Sequence, residues 1–94
     1  MTGNADNDER DTLLEFPCEF PVKMMGRDSA AFREAARSIM ERHVGSLGDD
    51  AVRESKSSKG NFVSITITIT AMSQVQLDGI YEDLTAHEEI LVAL

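Results

Sequence analysis

The sequence predicts a single α+β domain whose elements follow the order β-α-β-β-α-β. Three stretches support this prediction: an alternating apolar and hydroxyl run at 63–71, an amphipathic helical run at 29–44, and a second helical run after Ser73. The chain has 94 residues, and a chain of this length buries roughly 60 to 65% of the surface that it exposes when unfolded. That burial supports one modest core, so we expect no second domain.

Charge divides the chain into two parts. The formal net charge is −8, of which the first fifteen residues contribute −4 and residues 16–94 contribute −4. The stretch MTGNADNDERDT has no aromatic or branched aliphatic residue, so it cannot bury enough apolar surface to offset the entropy lost on ordering. We therefore expect residues 1–15 to form a disordered acidic tail and residues 16–94 to form the folded domain.

Composition also limits the classes of partner and the cellular compartment that we expect for the protein. A negative chain repels phosphate backbones at long range, which argues against a nucleic-acid partner. The sequence has no apolar run near 18 residues and no basic-then-apolar start, so we expect neither a membrane partner nor export. Cys18 is the single cysteine and cannot form an internal disulfide. Together these features predict a cytoplasmic protein.

The first strand is expected within LLEFPCEFPVKMMG, where apolar side chains alternate until Gly26 interrupts the pattern. Proline cannot donate a hydrogen bond to a ladder, so Pro17 and Pro21 predict that the strand starts at a sheet edge or in an extended lead-in. The alternating positions are Phe20, Val22 and Met24 against Pro21, Lys23 and Met25.

The first helix is expected over SAAFREAARSIMERHV, with Asp28 as its N-cap. We expect it to end at GSLGDD, where Gly45 and Gly48 are suited to left-handed conformations. Helical spacing places six side chains on one face, namely Phe32, Ala35, Ala36, Ile39, Met40 and His43.

A hairpin is expected next. AVRESKSS is a weak strand by itself, but the turn SSKGN joins it to a strictly alternating stretch, and Gly60 gives the turn its backbone freedom. This alternation is typical of a strand with one buried side and one polar side. The buried side comprises Val63, Ile65, Ile67, Ile69 and Ala71, and the polar side comprises Ser64, Thr66, Thr68 and Thr70.

The second helix has a recognisable start, since Ser73 and Gln76 form a capping box and Met72 and Leu77 occupy the two positions of a hydrophobic staple. EEILVAL then closes the chain as a short apolar strand. This order favours a four-stranded antiparallel sheet with two helices on one face, which is the ferredoxin-like arrangement. The apolar stripe of the helix is Leu77, Ile80, Tyr81 and Leu84.

Three separated segments, LLEFPCEFPVKMMG, SSKGNFVSITITITA and IYEDL, resemble the YbeD-like family of small bacterial proteins of unassigned function. The resemblance covers residues 12–94. It implies a ferredoxin-like domain similar to the ACT-type regulatory domains of amino-acid enzymes, without catalytic activity. The matching positions include Leu14, Phe16, Pro17, Phe20, Lys23, Gly26, Ser57, Gly60 and Tyr81.

The resemblance to ACT-type domains makes the first strand-to-helix junction a candidate ligand site. Gly26, Arg27 and Asp28 lie there beside amides at the start of a helix, which favour a carboxylate or phosphate. Asp28 argues against such a ligand, because a capping carboxylate already occupies those amides.

The basic turn is a second candidate for an anion. Lys56, Ser57, Lys59 and Gly60 offer ammonium groups and backbone amides. Alternatively, the turn is only solvated and its charges discourage pairing at the sheet edge.

The hydroxyl side of the third strand is a candidate interface. Ser64, Thr66, Thr68 and Thr70 offer hydroxyl groups that suit either solvent or a moderately polar partner. RNA-binding domains of this topology stack bases on aromatic side chains at such positions, and none is present in this row.

No catalytic residue, metal or cofactor is expected. Acylphosphatases share this topology and use an arginine and an asparagine, but the glycine-rich signature that would support Arg27 and Asn61 in those roles is missing. His43, His87 and Cys18 lie in separate elements without a close ligand pair.

Two functional hypotheses remain. The first is a non-enzymatic regulatory or protein-interaction module, whose partner is another protein or a second copy of the chain, because a sequence without an acid/base constellation acts through its surfaces. The second is an ACT-type sensor of a small anionic metabolite.

Overall fold

The computed structural model describes residues 14–57 and 59–94, so the predicted acidic tail lies almost wholly outside the described residues. The elements are β1 (Cys18–Arg27), α1 (Ala30–Val44), a 3-10 turn (Asp49–Ala51), β2 (Val52–Lys56), β3 (Phe62–Ala71), α2 (Gln74–Ala86) and β4 (Val92–Ala93). Their order confirms the predicted β-α-β-β-α-β succession.

The four strands form one sheet in the order β2-β3-β1-β4, and each neighbouring pair is antiparallel. Both helices pack on the same face of this sheet and contact each other. The predicted ferredoxin-like fold is therefore confirmed.

Pairing between the two central strands, β1 and β3, sets which side chains enter the core. The pairing runs without interruption from Cys18 opposite Ala71 to Arg27 opposite Phe62. Because side chains alternate across a strand, this register sends one set from both strands towards the helices and the other set away from them. The strand residues buried beneath the helices are Val22, Met24, Val63, Ile65, Ile67, Ile69 and Ala71, as the alternation predicts.

The start of α1 differs from the prediction, because Ser29 and not Asp28 is the N-cap. Ser29 has an extended backbone, and its Oγ accepts a hydrogen bond from the Phe32 amide at 3.2 Å. Asp28 instead forms an ion pair with Arg33. Two adjacent residues were both suitable caps, and a charged partner one turn into the helix decides between them.

Only one of the two glycines expected to end α1 is left-handed. Gly45 has a φ of +82° and its amide donates to the Glu41 carbonyl, as predicted for a glycine that follows a helix. Gly48 was predicted wrongly, because its φ of −76° lies in the ordinary extended region, where it precedes the 3-10 turn.

The capping box of α2 is half confirmed. Ser73 Oγ accepts from the Gln76 amide at 3.0 Å, but the Gln76 side chain accepts from the amide of Met72 rather than of Ser73. The same side chain donates to the His43 carbonyl at the end of α1, so it joins the two helices. The predicted hydrophobic staple is wrong, because Met72 is 58% exposed while Leu77 is buried.

The last strand is shorter than the expected stretch, because residues 87–90 form a turn that buries Ile90. Beyond β4, Leu94 and Lys23 exchange two backbone hydrogen bonds of 2.7 and 3.4 Å. The next β1 residue whose backbone points to this edge is Pro21, which has no amide proton to donate. Pro21 therefore lies where the pairing with β4 stops. The Tyr81 hydroxyl donates to the Leu94 carbonyl at 2.6 Å, and burial raises the pKa of Tyr81.

Gly26 is required by packing at the end of β1. A Cβ atom at this position would lie 2.6 Å from Phe32 Cγ and 2.7 Å from the Glu89 carbonyl oxygen. Neither atom belongs to a flexible side-chain end, so the fold has no inexpensive way to make room.

We expect Gly26→Ala to lower the free energy of unfolding by about 1–3 kcal/mol through overpacking. Gly48→Ala is the matched control, because no heavy atom lies within 4 Å of its added Cβ and its φ is ordinary. Urea denaturation of both variants measures the difference. Equal stability of the two variants would show that the packing of Phe32 does not require glycine at residue 26.

Candidate functional site

The sheet leaves one face uncovered by the helices, and we call this surface the open face. Its members follow from the strand registers, because directly paired residues point to the same side of a sheet. They are Glu19, Pro21, Lys23, Met25 and Arg27 of β1, Arg53 and Ser55 of β2, Phe62, Ser64, Thr66, Thr68 and Thr70 of β3, and Val92 and Leu94 at β4.

The four predicted hydroxyl residues lie together on the open face, but their exposure differs. Ser64 and Thr66 are half-buried because β1 and β2 flank them on both sides. Thr68 and Thr70 are exposed, since the pairing of β2 with β3 ends opposite residue 67. The hydroxyl row therefore begins in the middle of the sheet and ends at its uncovered corner.

Cations lie on both sides of this row. Lys23 on β1 and Arg53 on β2 are both directly opposite Thr66, and we call these three residues the basic row. Arg27 is the third cation of the open face, and its guanidinium carbon lies 5.7 Å from the centre of the Phe62 ring, which is a cation–π distance.

The open face therefore has a charge opposite to that of the rest of the domain. Glu19 is its single acidic member against three cations. The other described residues include twelve acidic and five basic side chains. The charge of the domain is thus polarised between the open face and the remaining surface.

Large apolar side chains lie beside these cations. Met25 is 38% exposed, Phe62 36%, Val92 43% and Leu94 68%, and we call these four the apolar patch. Val92 is directly opposite Met25, and Met25 and Phe62 line one shallow depression. This patch was not predicted from the sequence, although Met25 and Phe62 both occupy polar positions in the alternation of their strands and thereby indicated it.

The structure does not bring the predicted junction residues together. Gly26 is buried against Phe32, whereas Arg27 points to the open face. Asp28 is held on the opposite side, where its carboxylate lies 2.7 Å from Arg33 Nη2 and 3.5 Å from Lys56 Nζ.

Arg33 connects this junction to the edge strand. Besides Asp28, its guanidinium binds both carboxylate oxygens of Glu54 on β2, at 2.9 and 3.1 Å. The hydrogen bond from Arg33, and then the positive charge of Lys56, hold the pKa of the Asp28 carboxyl below its ordinary value of 3.8. The network fixes α1 to β2 and gives Asp28 a structural role.

The basic turn uses its backbone amides internally. The Ser57 amide donates to the Phe62 carbonyl at 2.9 Å, and the Gly60 amide donates to the Ser57 carbonyl at 3.0 Å. Gly60 has a φ of +74°, which confirms the predicted need for glycine in the turn. Lys59 is exposed, while Lys56 and Ser57 line the depression beside Met25 and Phe62.

The histidines and the cysteine lie apart. His43 Nε2 lies 2.6 Å from Asp83 on α2, and His87 Nδ1 accepts from the Glu89 amide at 3.1 Å. Within residues 14–57 and 59–94, no three histidine, cysteine or acidic side chains are grouped as a metal would require. In the same part of the chain, no helix has the length and apolar character needed to cross a bilayer.

The ion pairs of Asp28 predict a specific dependence of stability on pH. A carboxyl whose pKa is lowered in the folded state stabilises the fold above its unfolded pKa, and this contribution is lost as the pH falls through the folded value. We therefore expect the stability difference between the protein and Asp28→Asn to be largest near neutral pH and to shrink below pH 3.8. Urea midpoints across this range measure it, and a difference that is constant with pH would contradict the assignment.

Residues 11–94 match the family model described as "Protein of unknown function (DUF493)". A "UPF0250 protein" of Chromobacterium violaceum is 39% identical over 88 residues, which is 94% of this chain and 99% of that protein. A "UPF0250 protein" of Vesicomyosocius okutanii is 40% identical over 78 residues, covering 83% of this chain and 85% of that protein.

A solved structure shares the fold. The solution structure of protein HP0495 from H. pylori superposes with a TM-score of 0.68 over 93% of this chain and 91% of that one, at 11% sequence identity. Together with the sequence matches, this confirms the YbeD-like resemblance: the chain belongs to the DUF493 (UPF0250) family of bacterial proteins of unknown function.

Proposed function

We propose that this domain is a non-enzymatic protein-interaction module that binds its partner through the open face of its sheet. The observation that supports the proposal is the position of the apolar patch. In a two-layer fold, the sheet face that lacks helices is normally polar because water covers it. Four large exposed apolar side chains on that face, rimmed by cations, are typical of a contact surface.

The shape of the open face suits a macromolecule. The four strands contain 10, 5, 10 and 2 residues, and at about 3.3 Å per residue and 4.8 Å per strand they give a surface on the order of 400 Å². Each partner contributes roughly 800 Å² to a specific protein interface of standard size and less to a transient one, so the area of the open face suits the smaller, transient class. Small ligands instead favour concave pockets that enclose most of their surface.

The charged side chains away from the open face support a non-enzymatic role. Asp28, Arg33 and Glu54 bind one another, and His43 binds Asp83. These ionisable groups connect one element to another, and each already has a partner in the fold. We also propose that the interaction takes place in the cytoplasm. The single cysteine, Cys18, can form no internal disulfide, and proteins without disulfides are typical of that compartment.

A small anionic metabolite is the second candidate ligand. The depression lined by Met25, Lys56, Ser57 and Phe62 favours it, because a lysine side chain and a serine hydroxyl line it beside apolar surface. A panel of carboxylate and phosphate metabolites should then raise the melting temperature of the protein, and Lys56→Ala with Lys59→Ala should remove the effect.

Site-specific crosslinking tests the interaction function. A photo-crosslinking residue replaces Thr68 on the open face, or Ser38 on the exposed side of α1 as the matched control, and the full chain is expressed in its native host. We expect one discrete protein to be captured from residue 68 and not from residue 38.

The loss of that capture is the second half of the test. Thr66→Glu with Ser64→Glu should abolish crosslinking from residue 68, because a docked partner would desolvate the added charges. The variant should stay folded, since these side chains point away from the core, and a urea denaturation curve checks this. Equal capture from both faces, or capture that survives the glutamate substitutions, would contradict the proposal.

A further inference from the structure

We infer that the segment recognised by the open face is an acidic amphipathic α-helix of a partner protein. This inference rests on the proposed function and names the chemistry of the partner. It follows from three properties of the open face: the sign of its charge, the state of its backbone, and the spacing of its cations around Met25.

Charge complementarity selects an acidic segment. Lys23, Arg27 and Arg53 point to the open face of a domain whose other described surface is strongly acidic. An acidic partner is therefore attracted to this face and repelled by the others, which fixes its orientation during encounter. Within residues 14–57 and 59–94, none of the three cations forms an ion pair with a carboxylate.

The backbone hydrogen bonding of the sheet favours a helical partner segment. Around Met25 and Thr66, residues 23–25 of β1 and 63–67 of β3 have a paired strand on each side, so this part of the open face recognises a partner by side chains alone. A segment laid on such a face must satisfy its own backbone hydrogen bonds, or their desolvation opposes binding. An α-helix does this within itself, whereas an extended segment would need a free sheet edge.

The spacing of the cations fits the width of a helix. Lys23 and Arg27 lie two residues to either side of Met25 on β1, so each is about 7 Å from it along the strand. A helix with its side chains is about 10–12 Å across. A helix whose apolar stripe rests on Met25 and Val92 therefore carries its flanks above Lys23 on one side and Arg27 on the other, where glutamates can reach them.

Two synthetic helical peptides test the inference on the purified full chain. Both carry the same leucine stripe at i, i+4 and i+7, and the flanking residues are glutamate in one and lysine in the other. We expect the glutamate peptide to shift the amide resonances of Met25, Ser64 and Thr66 in an NMR titration, more strongly at 50 mM than at 300 mM salt. We expect the lysine peptide to shift none of them.

Charge reversal supplies the matched comparison. Lys23→Glu with Arg53→Glu should weaken binding of the glutamate peptide by about tenfold or more. Arg37→Glu with Arg42→Glu changes the net charge equally on exposed residues of α1, and should leave the affinity within about twofold of the original. Equal weakening of peptide binding by both double variants would mean that the affinity depends only on the net charge of the protein, and would overturn the inference.

Other occupants give distinct results. Equal binding of both peptides, binding of an oligothymidylate at the same resonances, or a dimer that Lys23→Glu with Arg53→Glu dissociates would each overturn the acidic helix. Failure of the glutamate peptide while residue 68 still captures a partner overturns this inference and leaves the proposed function standing. Peptide binding without any capture in the host overturns the proposed function, and the inference with it.

Discussion

The antiparallel register of β1 with β3 is the constraint on which the rest of the structure depends. Because side chains alternate with a period of two, a slip of one residue would move Ile65 and Ile67 to solvent and bring Thr66 into the core. Burial of the isoleucines beneath two helices therefore specifies one pairing. The same pairing places Lys23 opposite Thr66 and Met25 opposite Ser64, so the register that builds the core also assembles the open face.

The other interactions position elements around that central pair. Arg33 binds Asp28 and Glu54 and thereby fixes the start of α1 to the edge strand β2. Gln76 donates to the end of α1 while it caps the start of α2. These contacts keep both helices on one side of the sheet, which leaves the cations and the apolar patch of the other side accessible to a partner.

Local pattern predicted most of this fold, because period and turn chemistry are properties of neighbouring residues. It failed where side-chain contacts decide: Arg33 draws Asp28 away from the cap position, and the burial of Ile90 shortens β4. The alternation of β3 predicted the hydroxyl row, but it did not predict the cations beside that row. Lys23 and Arg53 are thirty residues apart in sequence, and only the pairing of both strands with β3 places them around Thr66.

Oxidative footprinting of methionines in the native host, compared with the purified protein, tests directly whether a partner covers the open face. Met25 and Met72 are both exposed, but Met25 lies in the apolar patch, whereas Met72 follows the end of β3, eight residues beyond Ser64, the residue that pairs with Met25. Exposed methionines oxidise readily to the sulfoxide. If a partner occupies the open face, Met25 is protected in the host relative to the purified protein, while Met72 reacts equally in both. Equal reactivity of Met25 in the two settings would contradict an occupied open face.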